Sequence, residues 1–199
     1  MTERPGEHSE LAESDRHLET GSVECRYGTV HYVAEEGRLI YCGFRPWDSP
    51  GSRIPLELKR RISRASRAGE AHAQPDNARA AADDREIGRM IRSYLEGSVE
   101  GLNAVMPPMS FYGTEFQRSV WKAMLDIPFG KVATYGEIAA AIGRPRAVRA
   151  VGSAVGTNPL APVVPCHRVL PAGGGIGNYG GGVEKKRFLL SIEGALPGS

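Results

Sequence analysis

The sequence predicts a mixed α/β protein in two parts, a small N-terminal β-sheet unit and a C-terminal helical unit. Three observations carry this. Apolar residues alternate with polar ones between Val23 and Phe44, the strand period. After Thr114 they recur at helical spacing. Between these stretches Leu102 to Met109, with two prolines, reads as a link. A chain of 199 residues is long enough for one large or two small domains with a real core.

Residues 1 to 20 hold six acidic and two basic side chains and almost no large apolar ones. Such a segment cannot bury enough surface to offset the cost of ordering, so a mobile tail is expected there. Val23, Cys25 and Tyr27, then Val30 and Tyr32, alternate as in a strand. The turn signal Glu35-Glu36-Gly37 leads into Leu39 to Phe44, which gives a hairpin. Trp47 to Gly51 breaks the pattern. Ile54 to Arg67 is a basic, helix-compatible stretch, and Ala68 to Asp84, small and polar with Gly69 and Pro75, reads as loop. Ile87, Met90, Ile91, Tyr94 and Leu95 mark the apolar face of a helix stopped by Gly97.

In the second part Thr114 is an N-cap candidate with Gln117 three residues on, and Phe116, Val120, Trp121, Met124 and Leu125 form one apolar stripe ending at Ile127-Pro128. A short helix is expected from Thr134 or Tyr135, with Ile138, Ala139 and Ile142 inward and Gly143 as its stop. After Arg144-Pro145 another is expected from Arg146 to Val155. Two short helices joined by a tight glycine-containing turn form a helix-turn-helix pattern. The domain division expected is therefore a tail at 1 to 20, an N-terminal α/β domain with linker at 21 to 105, and a C-terminal domain at 106 to 199.

The whole chain carries 25 Lys and Arg against 23 Asp and Glu, a formal charge of +2 that alone argues for no polyanionic partner. From Thr114 onward ten basic residues face five acidic, so the C-terminal part carries the excess. Three cysteines, Cys25, Cys42 and Cys166, cannot all pair, and none has zinc-ligand spacing. A reduced, cytoplasmic setting is the expectation, with no membrane span, because no run approaches about 20 apolar residues.

Pro165-Cys166-His167-Arg168-Val169 is the most informative stretch. A thiol attacks carbon as thiolate and needs a base or positive dipole nearby, and the glycines from Gly173 to Gly182 allow a substrate close to the backbone. A buried Cys-His pair is by itself more often packing than chemistry. Its flanks decide otherwise: GTEFQRSVW from Gly113, IPFGKVATYGEIA from Ile127, AVRAVG from Ala147, Asn158-Pro159, Gly177-Asn178-Tyr179 and Ile192-Glu193-Gly194. In this order, over about the last 90 residues, they resemble the O6-alkylguanine-DNA alkyltransferases, repair proteins that take an alkyl group from guanine onto a cysteine.

The resemblance implies a ribonuclease-H-like sheet in the N-terminal domain, and Cys166 as alkyl acceptor. It makes His167 the general base acting through a water, with Glu193 orienting the imidazole, a division of labour like that of a hydrolytic triad. Tyr135 corresponds to the residue that helps push the base out and hydrogen-bonds its purine edge, and Arg149 to the finger that fills the gap in the stack. Ala150 and Gly152 belong to a helix face of small residues, which the resemblance places in the minor groove of double-stranded DNA. Asn158 corresponds to the hinge asparagine. Val164, through its carbonyl, Asn178 and Tyr179 correspond to the pocket wall. Gly180 is a departure, because the family often has serine there, so only a backbone N–H can serve. Lys185, Lys186 and Arg187 read most simply as a solvated helix start, the alternative being contact with DNA phosphate or support of the pocket. Cys25, His31 and Cys42 do not fall where relatives hold zinc, so no metal and no cofactor are expected, and the protein is expected to act as a monomer. Two rival readings are weaker: a non-catalytic lesion sensor would lack Cys166, and a Cys-His hydrolase would leave Arg149 and the helix pair without purpose.

Overall fold

The computed structural model describes residues 17–50, 52, 54–68, 86–97 and 107–196. Strands β1 (Leu18–Cys25), β2 (Gly28–Glu35) and β3 (Arg38–Gly43) form an antiparallel sheet in sequence order. Helix α1 (Leu56–Ala68) follows, then α2 (Glu86–Leu95). Helix α3 (Glu115–Leu125) comes next. The two-residue strand β4 (Ala133–Thr134) then leads into α4 (Tyr135–Ala141) and α5 (Val148–Gly156). A single 3-10 turn, Cys166–Arg168, runs into β5 (Val169–Leu170), and α6 (Val183–Ile192) closes the described chain. β4 and β5 pair in parallel. The fold is mixed α/β, a small antiparallel sheet with helices.

The sheet is buried on both faces, because consecutive apolar residues in β2 and β3 have separate cores to enter. Val33, Ile40 and Tyr41 pack with Leu18 and with Ile54, Leu58 and Ile62 in and beside α1. Val23, Val30, Tyr32, Ala34, Leu39 and Cys42 enter the main core, which includes Ile87, Ile91, Tyr94 and Leu95 of α2. The same core continues through Val120, Trp121 and Met124 of α3 to Val151, Val164 and Leu189, so both parts of the chain share one hydrophobic interior.

The pattern misplaces four boundaries. Leu18, assigned to the tail, is buried and opposite Glu35 in β1, because a partner strand satisfies a backbone that composition alone left unpaired. Residues 1 to 16 of that tail lie outside the described residues, as do the loop from 69 to 84 and the link up to 106. Tyr27 is in the β1–β2 turn rather than a strand. α5 begins at Val148, not Arg146, because Arg144 to Ala147 form a turn closed by Ala147 N–H to the Arg144 carbonyl at 2.9 Å. Pro108 and Met109, read as linker, lie along β3: Leu39 N–H donates to the Pro108 carbonyl at 2.6 Å and Ser110 N–H to that of Leu39 at 3.0 Å. Cys42 N–H donates to the Pro159 carbonyl at 2.8 Å, so β3 touches the C-terminal part at a second point.

Two of the C-terminal helices, α3 and α4, begin where local chemistry says they should. Thr114 and Thr134 each cap a helix through a reciprocal capping box, with Gln117 and Glu137 respectively. Gly143 turns the chain out of α4 at φ 69°, a left-handed conformation that strains any side chain bearing a Cβ. The Trp121 indole donates to the Ala154 carbonyl at 2.8 Å and ties α3 to α5.

Candidate active site

Cys166 opens the 3-10 turn and is 8 % exposed, facing a cavity of about 630 Å³. The cavity is walled by Tyr135 at the start of α4, by Gly152 and Val155 of α5, and by Asn158, Asn178, Tyr179 and Gly180. Its far side comes from the N-terminal part: Tyr41, Cys42, Gly43, Phe44 and Arg45. Burial first, and then the neighbouring Cys166, push the hydroxyl of Tyr135 up from its ordinary range and that of Tyr179 well above it. Both phenols therefore keep their protons. The glycine run matters at Gly181, where a Cβ would come within 2.9 Å of the Tyr179 ring.

Behind Cys166 lies a polar network in the buried interior. His167 Nε2 is 2.8 Å from Glu193 Oε1, and neither side chain is exposed. Glu193 also accepts from Arg168 Nε at 2.8 Å and Nη2 at 3.1 Å, while Arg168 Nη1 donates to the Ile127 carbonyl at 2.5 Å. The Tyr94 hydroxyl donates to Glu193 Oε1 at 2.7 Å and lies 3.0 Å from His167 Nε2. Burial pushes the Glu193 carboxyl up, but hydrogen bonds from His167, Arg168 and Tyr94 outweigh it and hold it at about 2. Burial dominates at His167 and lowers its pKa against the opposing pull of Glu193, so the imidazole is neutral. With Glu193 ionised, Nε2 carries the proton. Nδ1, buried and without a protein partner among the described residues, is the nitrogen left to accept one.

The structure brings Cys166, His167, Glu193, Tyr135, Gly152, Asn158, Tyr179 and Gly180 into one region and sets others apart. Arg149 and Ala150 are exposed on α5, away from the cavity wall. Val164 is fully buried and does not line the cavity; its carbonyl accepts from Asn158 Nδ2 and from the Cys166 N–H, both at 2.8 Å. Asn158 Oδ1 accepts from Leu160 N–H at 3.0 Å, so this side chain braces the turn between α5 and Cys166.

Lys186 corrects the reading of a solvated helix start. It is 1 % exposed, its Nζ donates to the Val169 carbonyl at 2.9 Å, and burial lowers its pKa to about 8 against the opposing influence of Cys166. A Lys-Lys-Arg run gives no sign of which member turns inward. Tyr94 and Arg168 were likewise absent from the sequence-derived site. For Tyr94 the available signal was a phenol in an otherwise aliphatic helical stripe, since a buried hydroxyl needs a partner.

Residues 115–195 match the family model described as 6-O-methylguanine DNA methyltransferase, DNA binding domain. The chain is 47 % identical over 111 residues to a methylated-DNA–protein-cysteine methyltransferase of Methanosarcina acetivorans, covering 56 % of this chain and 69 % of that protein. It is 50 % identical over 107 residues to the protein of that name from Mycobacterium tuberculosis, covering 50 % of this chain and 65 % of that one. Among solved structures, Mycobacterium tuberculosis OGT in complex with DNA superimposes with a TM-score of 0.66 at 32 % identity, over 89 % of this chain and 93 % of that one. An O6-methylguanine-DNA methyltransferase from Pyrococcus kodakaraensis gives 0.53 at 28 % identity, over 89 % and 99 %.

Proposed function

Because the chain belongs to the 6-O-methylguanine DNA methyltransferase family, we propose that Cys166 is the atom on which its chemistry ends. The protein is a methylated-DNA–protein-cysteine methyltransferase that binds DNA and repairs it by direct reversal. The observation that carries the assignment of the acceptor is the position of Cys166, at the floor of a cavity and next in chain to a neutral, Glu193-anchored imidazole.

In the proposed reaction His167 Nδ1 takes the thiol proton through a bridging water. The thiolate sulfur forms a bond to the alkyl carbon as the carbon–O6 bond breaks, and that electron pair passes to the purine. The purine takes up one proton, passed from the Tyr135 hydroxyl, which is protonated beforehand. Water returns a proton to Tyr135 as His167 releases the one it took from the thiol, so guanine leaves neutral and the thiol proton is the only one consumed. The thioether has no route back, so each molecule acts once. Tyr179 forms a ring wall, and Gly180 offers its backbone N–H. Arg149 is the finger that occupies the emptied stack, on a helix whose small residues Ala150 and Gly152 allow close approach to the minor groove. α4 and α5 form the helix-turn-helix; the sheet with α1 and α2 is the ribonuclease-H-like domain of residues 21 to 105, and 106 to 199 the DNA-binding, alkyl-accepting domain. The protein acts as a cytoplasmic monomer. O4-alkylthymine, which carries its alkyl carbon on the same kind of exocyclic oxygen, is a further candidate substrate.

Incubation with duplex DNA carrying O6-methylguanine, followed by intact mass and peptide mapping, tests this. One methyl, about 14 Da, should appear on Cys166 and on neither Cys25 nor Cys42, because among the described residues Cys166 alone combines a place in the cavity with a neighbouring imidazole. Label on another cysteine, or more than one turnover per molecule, would overturn the reading.

A further inference from the structure

We propose that Tyr94, delivered by α2 from the N-terminal part of the chain, is a positioning residue for the transfer reaction: its hydroxyl locks the Glu193 carboxylate to the His167 imidazole. The inference rests on Cys166 being the acceptor and His167 its base. Three atoms form a closed triangle, with Tyr94 Oη to Glu193 Oε1 at 2.7 Å, Tyr94 Oη to His167 Nε2 at 3.0 Å, and His167 Nε2 to Glu193 Oε1 at 2.8 Å. Tyr94 is 1 % exposed and backed by Ile91 and Leu95 of the same helix.

A phenol has one proton to donate, and here it goes to the carboxylate. Its oxygen lone pair is then the second, longer acceptor of the one Nε2–H that His167 directs at Glu193. Both contacts favour the same tautomer, with the proton on Nε2 and the lone pair on Nδ1. The donor also draws charge from Glu193, which limits how strongly that carboxylate holds a proton on the imidazole. The other groups around His167 are Arg168 and Lys186, both of which oppose its charging, and Cys166 next to it in the chain. Tyr94 is therefore the contact through which the sheet-bearing part of the molecule sets the state of the base in the other part, 73 residues along the chain from His167.

Tyr94→Phe removes one oxygen and keeps the ring in the core. Single-turnover transfer from saturating O6-methylguanine duplex should fall about 10- to 100-fold at neutral pH, as expected for a lost hydrogen bond to a charged group. The acidic limb of the pH–rate profile should move to higher pH, because a carboxylate without this donor holds the imidazole proton more tightly. Lesion binding should stay at the wild-type level. In a Glu193→Gln background the same substitution should cost nothing further. Wild-type rate and an unchanged pH profile for Tyr94→Phe, with slow transfer only in Tyr94→Leu, would reduce Tyr94 to packing and overturn the proposal. A wild-type protein that never methylates Cys166 would overturn the functional reading itself, so the two failures are distinct.

Discussion

At the scale of single residues, the site depends on keeping one carboxylate charged in a place that disfavours charge. Glu193 achieves this only through the donors around it, so Glu193→Gln should be expensive twice. Arg168, with a side chain 9 % exposed, would keep its charge and lose its ion partner, lowering stability by about 3 kcal/mol in a denaturant titration. His167 would lose its anchor, and single-turnover transfer should slow by about tenfold or more. Cys166→Ala should behave oppositely: transfer vanishes while affinity for O6-methylguanine duplex, read by fluorescence anisotropy, stays near wild type, because the change removes one sulfur from the cavity and leaves Tyr135, Asn178 and Tyr179 in its wall. Cys166, His167 and Glu193 were legible in the sequence because an ordered set of short motifs surrounds them. Tyr94 and Lys186 were not. Each belongs to an ordinary pattern, an apolar helical stripe and a basic run, and only packing decides which member of such a pattern faces a charged network.

At the scale of elements, the groups proposed for the chemistry are positioned by a helix cap and a braced turn. Thr134 caps α4 immediately before Tyr135, accepting from Glu137 N–H at 3.2 Å. Thr134→Ala should cost about 1 kcal/mol, seen as a melting point lower by about 2 to 4 °C, and should slow transfer by loosening Tyr135. Asn158 is buried with both ends of its amide engaged, so Asn158→Ala should cost about 2 to 3 kcal/mol, most of it from the orphaned Leu160 N–H. Arg149, exposed on α5, should matter to function and not to folding. Arg149→Ala is expected to leave the melting point and undamaged-duplex affinity nearly unchanged while transfer falls about tenfold, most where the lesion pairs well; equal transfer rates would refute its role as finger. Both capping boxes are local, and Thr114 was named from the sequence as a cap. The start of α5 was misplaced because no side-chain cap marks it; Ala147 offers none.

At the scale of the whole molecule, buried titratable groups set a window of stability. Burial holds His167 and His31 below their ordinary 6.5. As pH falls through that value the unfolded chain takes up protons the folded one refuses, and stability drops. Glu193 adds to the loss between 4.5 and about 2. On the alkaline side burial raises Cys25, Cys42, Tyr41, Tyr94, Tyr135 and Tyr179, so above about 9 the unfolded chain sheds protons the folded chain keeps. Lys186 works the other way between about 8 and 10.5, one group against six. Urea midpoints across pH should therefore peak between about 6.5 and 9; a maximum at acid pH would contradict this. That the antiparallel strands come early and most of the helices follow Thr114 was readable from the change of period there. The continuous core was not, since it depends on contacts between residues far apart in the chain. The contacts of β3 have a further consequence. A strand at the end of a small sheet presents unpaired amides and carbonyls that invite another chain to add to it. Here Leu39 and Cys42 donate those amides to Pro108 and Pro159, so the molecule consumes its own adhesive edge. Any event that undocks the two parts would release that edge at the same moment as it pulls Tyr94 away from Glu193. Protein inactivated by undocking should therefore also be prone to aggregate, and loss of activity and loss of solubility should rise together along a heating curve.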